Sequence, residues 1–84
     1  MRLAEMRNIG VINEAKLVQV GIRTPAALIE LGAENVFMEV YHLVDKGSCL
    51  HLLYALEGAI QDIPKRELSE RRKEELRNFY QQIN

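Results

Sequence analysis

Tryptophan is absent from these 84 residues, cysteine occurs once and proline twice. Each shortage removes a class of architecture. A lone Cys49 cannot close an intrachain disulfide, so the chain is not a disulfide-stapled scaffold. No apolar run is long enough to span a bilayer, and no apolar leader opens the sequence. The expectation is therefore a reducing cytoplasm and no membrane partner. An excess of one charge is missing too: the net charge is −1, too small to draw the chain as a whole to nucleic acid or to a membrane surface. Nothing alternates with the period of two that marks a strand.

What remains is an apolar, helical pattern. Hydrophobic residues make up 48% of the chain, a globular composition, and the length suits one small domain over residues 1–84. With so small a core and no metal cluster or disulfide, a protein partner or self-association is expected to supply part of the stability.

Punctuation divides the chain into five or six short helices. Leu3, Met6 and Arg7 share a face of an opening helix that breaks at Asn8-Ile9-Gly10. Asn13 is a candidate N-cap for a helix carrying Leu17 and Val18 and ending at Gly21. Thr24-Pro25 repeats the start signal, Thr as cap and Pro in the first helical position, and Gly32 stops that helix. A helix over about Ala33–Val44 places Val36, Phe37, Val40 and Val44 on one face. Asp45-Lys46-Gly47 is a turn, and Ser48 is the expected cap for a helix from Cys49 to about Gln61. That segment is apolar nearly all round, which places it in the middle of a bundle. Ile63-Pro64 ends it. Ser69 caps a last helix whose Leu76, Phe79, Tyr80 and Ile83 fall at i, i+3, i+4, i+7. The expected core is Leu53, Leu56 and Ile60, surrounded by Leu17, Leu28, Phe37, Val40, Leu76 and Phe79.

Charge is unevenly spread. Residues 1–32 carry four basic and three acidic side chains, residues 33–62 one basic and five acidic, and residues 63–84 six basic and four acidic. An anionic partner should avoid the middle and approach the ends.

The chemistry candidates are few. His42 and His51 lie on different helices without a Cys or carboxylate at ligand spacing, so no metal is expected. Cys49 lies in a first helical turn, but no sequence neighbour activates it and a small buried thiol is the reading. Glu57 is an acid inside an apolar helix. It must be paired or accept several hydrogen bonds, and Gly58 beside it would let another backbone approach. The expectation is a structural buried acid, with no catalytic or cofactor-binding residues. Arg71-Arg72-Lys73 lacks interleaved aromatics that would stack on bases and reads as a solvated face with Glu70 and Glu75.

A hairpin of two short helices can hold a DNA phosphate through the backbone N–H groups of its Gly-containing loop. Arg7, Asn8, Ile9, Gly10, Lys16 and Arg23 are the candidate phosphate contacts. Val11 and Ile12, however, stand at loop positions where a DNA-binding hairpin offers polar side chains, which favours packing on protein over direct DNA contact.

Taken together, Leu3…Arg7-Asn8-Ile9-Gly10, Leu17…Gly21-Ile22-Arg23-Thr24, Leu28…Leu31-Gly32-Ala33 and Leu52-Leu53-Tyr54-Ala55-Leu56-Glu57-Gly58-Ala59-Ile60 resemble the C-terminal domain of the TfoX/Sxy family over nearly the whole chain. The resemblance implies an all-α, helix-hairpin-helix-like domain, and because no acid–base or nucleophile constellation appears in the sequence no enzymatic activity is expected. It also implies a bacterial role in natural competence, the uptake of DNA, through transcription of competence genes. The combined expectation is a regulatory module acting mainly through protein contacts, with weak hairpin-type DNA binding as the alternative.

Overall fold

A computed structural model describes residues 1–83; the expected domain boundary at Asn84 lies outside the described residues. Helices α1 (Gly10–Gln19), α2 (Pro25–Leu31), α3 (Ala33–Leu43), α4 (Leu50–Gln61) and α5 (Glu70–Ile83) are joined by short connections. Single 3-10 turns lie at Leu3–Glu5 and Lys65–Glu67. Among the described residues there are no strands, so the fold is all-α.

Local chemistry explains most boundaries. Thr24 caps α2 as expected, its Oγ1 accepting from the Ala27 N–H at 3.1 Å with Pro25 in the first turn. Gly32, at φ +85°, closes α2 and opens α3 in one residue. Such a positive φ is cheap only without a Cβ. Ser69 caps α5 by accepting from the Arg72 N–H at 3.1 Å.

Three starts differ from the sequence expectation. The opening segment is a 3-10 turn: Leu3 is buried while Arg7 is exposed, so the two do not share a face. Helix α1 begins at Gly10, which puts Asn13 inside the helix and Val11 and Ile12 in its first turn. Tertiary docking of Asn8 and burial of Ile9 fix that start. Ser48 does not cap α4. It is buried and its hydroxyl donates to the Asp45 carbonyl at 2.7 Å, while Cys49 takes the N-cap position with an exposed thiol. The expected buried thiol is thus corrected. Ser48 turns inward to its bond with Asp45, and Cys49 beside it faces out with no side-chain cap bond.

Helix α4 is central, packing against α2, α3, α5 and the second 3-10 turn. The buried side chains form one contiguous cluster containing Leu17, Leu28, Phe37, Val40, Leu53, Leu56 and Leu76, with Leu3, Ile9, Ile22 and Leu68 added from the connections. Ile60 and Phe79 line the edge of that cluster, half-buried. Phe37 is fully buried, stacked on Tyr41 with centroids 6.1 Å apart and edge-on to Tyr80 at 5.9 Å.

Because Leu56 is fully enclosed, Leu56→Ala should destabilise the fold by about 2–5 kcal/mol. Ile60→Ala, at the half-buried edge, should cost less. Thermal denaturation of the two variants checks this; an unchanged melting temperature for Leu56→Ala would contradict the packing.

Candidate phosphate hairpin and the buried acid

The Asn8–Gly10 break owes its shape to two left-handed residues, Asn8 at φ +70° and Gly10 at φ +68°. Asparagine tolerates that region because its short polar side chain can bond locally. Here the side chain is committed elsewhere. Its Nδ2 donates to the Ile63 carbonyl at 3.0 Å, and its Oδ1 accepts from the Lys65 N–H at 3.3 Å. Asn8 thus bridges the hairpin to the turn that follows α4.

Gly58 makes that bridge possible. A Cβ at this position would fall on the Asn8 amide and within 2.8 Å of the Ile63 carbonyl. The Ile63 N–H returns to the Gly58 carbonyl at 2.9 Å, after Asp62 adopts the left-handed conformation at φ +59°. These bonds satisfy carbonyls that a helix end leaves open.

The candidate phosphate contacts have separate fates. Ile9 is buried in the core. Arg7 meets Asp62, Nε to Oδ1 at 3.2 Å, and Lys16 meets Asp45, Nζ to Oδ2 at 3.0 Å. The Lys16 hydrogen bond, joined by the Gly47 N–H, holds the Asp45 carboxyl below its usual range. Gly10 is exposed, and Arg23 is exposed with no ion pair among the described residues. The structure therefore brings Asn8 and Lys16 to one cleft, places Arg7 at another, and leaves Arg23 in neither. Asp62 and Asp45 are remote in sequence from their basic partners, so only the fold reveals that two of the three candidate cations are already paired.

Glu57 is 8% exposed. Its Oε1 accepts from Arg72 Nη2 at 3.0 Å and its Oε2 from Gln61 Nε2 at 2.6 Å. Arg72 also grips Glu34 with a two-pronged fork, Nη1 to Oε2 at 2.9 Å and Nη2 to Oε1 at 2.8 Å. Glu75 adds a contact at 3.2 Å. One guanidinium thereby joins α3, α4 and α5. Such planar bidentate pairing is the geometry arginine supplies and lysine cannot.

Arg72 therefore does not belong to the solvated face expected for the run Arg71-Arg72-Lys73. Only Arg71 fits that description; Lys73 lies down to donate from Nζ to the Arg66 carbonyl at 3.2 Å. The signal available in the sequence was the unpaired acid Glu57, which called for a cation from another helix.

The family model of the TfoX C-terminal domain matches residues 1–80. The chain belongs to the TfoX C-terminal domain family. Two crystal structures from Listeria monocytogenes share this TfoX-type fold. One is of an uncharacterized protein, 38% identical, with a TM-score of 0.96 over 99% of this chain and 93% of that one. The other, of a protein of unknown function, is 39% identical, with a TM-score of 0.93 over 98% and 100%. No curated protein matches the chain significantly. The family is of a regulatory type and not an enzyme family. Among the described residues, no three His, Cys, Asp or Glu side chains gather as metal ligands, and no helix is long and apolar enough to cross a membrane.

The Arg72 cluster in this TfoX-type fold yields two tests. Arg72→Ala leaves Glu57 without its cation and should cost about 3 kcal/mol, the lower part of the range for breaking a buried pair because Arg72 retains some solvent contact. The double variant Arg72→Met/Glu57→Leu should recover most of that loss. Chemical denaturation of single and double variants measures both.

The second test is acid stability. Arg72 hydrogen bonds hold the Glu34 carboxyl below its ordinary 4.5, outweighing the opposite effect of burial. A depressed folded-state pKa stabilises the protein above the unfolded value, and that contribution is lost as pH falls through the folded one. Arg72 itself is held protonated by Glu34 first and Glu57 second, so it stays charged throughout this range. The melting temperature of the wild type should decline below about pH 4.5, and Glu34→Gln should flatten that decline.

Proposed function

We propose that this chain is a non-enzymatic regulatory module in the bacterial cytoplasm. Its role is in the control of competence genes, acting mainly through protein contacts, with no cofactor. The observation that supports this is an apolar groove of about 490 Å³ beside the hairpin, where Met1, Met6, Pro25, Ile29, Ala59 and Ile60 are rimmed by Glu5, Arg7 and Asp62. Ile29 remains 52% exposed there. Val11 and Ile12 add two more uncovered apolar side chains on α1, at 67% and 73%. Apolar side chains framed by charge suit a protein interface, whose centre is depleted of charged groups.

Duplex DNA at the hairpin is the second reading. Exposed Gly10 at the start of α1 and the unpaired Arg23 favour it. Few free phosphate contacts would make such binding weak and salt-sensitive.

The experiment complements a deletion strain with variants and measures competence-gene transcripts. Ile29→Asp should lose induction at unchanged melting temperature, since removing an interface anchor costs about 2 kcal/mol or more of partner affinity. Arg23→Ala should retain it. The opposite pattern, with a matching loss of duplex binding in Arg23→Ala, would favour the hairpin reading.

A further inference from the structure

The second 3-10 turn, the outer face of α5 and the start of α4 enclose a cleft of about 350 Å³. Four cations line it, Lys65, Arg66, Lys73 and Arg77, against one carboxylate, Glu70. Lys65, Arg66 and Arg77 are exposed and carry no ion pair among the described residues. Their charge is not spent inside the protein, in contrast to that of Arg7, Lys16 and Arg72.

Two rings from α4 complete the lining. His51 and Tyr54 stand edge to face, 6.5 Å between centroids. The Tyr54 hydroxyl accepts from Arg77 Nη1 at 3.3 Å and donates to the Lys73 carbonyl at 3.4 Å. Tyr54 is thus tied to the cationic wall, and His51 rests against Tyr54. The basic run Arg71-Arg72-Lys73 lacks interleaved aromatics, and beside this cleft the fold supplies rings from a different helix.

We propose that this cleft binds single-stranded nucleic acid. Lys65, Arg66 and Arg77 meet backbone phosphates, Lys73 stays tied to the Arg66 carbonyl and to Glu70, and a base rests against His51 and Tyr54. Cations that track a phosphate backbone beside rings that accept a base face are the elements of single-strand recognition. An acidic peptide would use the cations and leave the rings idle. The cleft shares no lining residue with the apolar groove, so this proposal does not depend on the protein-contact reading.

The test is fluorescence anisotropy of the whole chain with labelled twelve-nucleotide oligo-dT and oligo-U, the matching duplex, and an oligo-glutamate peptide, across a salt series. Both single strands should bind more tightly than duplex or peptide, and a difference between them identifies the sugar preferred. The slope of log affinity on log salt should approach about −2 for three phosphate contacts. Arg66→Ala/Arg77→Ala should reduce that slope by about 1.4, with folding checked by circular dichroism, and Arg66→Lys/Arg77→Lys should restore it. His51→Ala should weaken single-strand binding about fivefold or more without changing the slope, because stacking is not a counterion effect. Arg7→Ala and Arg23→Ala should leave binding unchanged. No single-strand binding, equal or tighter binding of duplex or peptide, or affinity lost in Arg7→Ala and Arg23→Ala instead of Arg66→Ala/Arg77→Ala would each overturn the proposal.

Discussion

Glu57 is a carboxylate on the helix against which α2, α3 and α5 all pack. A charge in that position is tolerable only beside a cation with its remaining lone pairs occupied. Arg72 and Gln61 meet that condition, and it constrains everything around α4. Arg72 must project from the first turns of α5, which Ser69 sets by capping. Glu34 must project from the first turn of α3, a position Gly32 fixes by ending α2 and starting α3 at one residue. Aliphatic packing alone could tolerate a slide of one helix on another; a bidentate fork shared with a second carboxylate cannot.

The residue next to Glu57 does the corresponding work at the other end of the fold. Without a side chain at Gly58, Asn8 reaches the Ile63 carbonyl and the Lys65 amide and fastens the N-terminal hairpin to the end of α4. Two adjacent positions on the central helix thus tie down both flanks of the bundle, one through charge and one through the absence of a Cβ. The Asn8–Gly10 break is held by hydrogen bonds within the chain.

The same internal pairing redistributes the surface charge. Arg2, Arg7 and Lys16 are answered by Glu14, Asp62 and Asp45, and Arg72 by Glu34 and Glu57. Cations without such answers stand mostly around the second 3-10 turn and on the outer face of α5. The apolar groove lies elsewhere, among the N-terminal segment, α2 and the end of α4. The chain therefore presents two chemically different surfaces on one small core.

Composition and periodicity by themselves determined the all-α class, the central place of α4, and the boundaries at Thr24-Pro25, Gly32, Asp45–Gly47, Ile63-Pro64 and Ser69. Those features follow from backbone chemistry within a few residues: an oxygen that caps, a ring that fixes φ, a glycine that accepts a positive φ. The motifs around Gly21–Thr24 and Leu52–Ile60 also carried the family. Contacts between distant segments were decided by the tertiary structure alone. Asn13 and Ser48 look like caps locally, yet the first helix begins where Asn8 docks 55 residues away, and Ser48 is buried against Asp45. Glu57 signalled that a partner was required, and Arg72, four residues before Leu76, lies on the apolar stripe of α5 that Arg71 misses, but nothing local named the carboxylates it would reach. That this face of α5 sets Arg72 against Glu34 and Glu57 depends on how the helix docks on α3 and α4, and that docking is a property of the packed bundle.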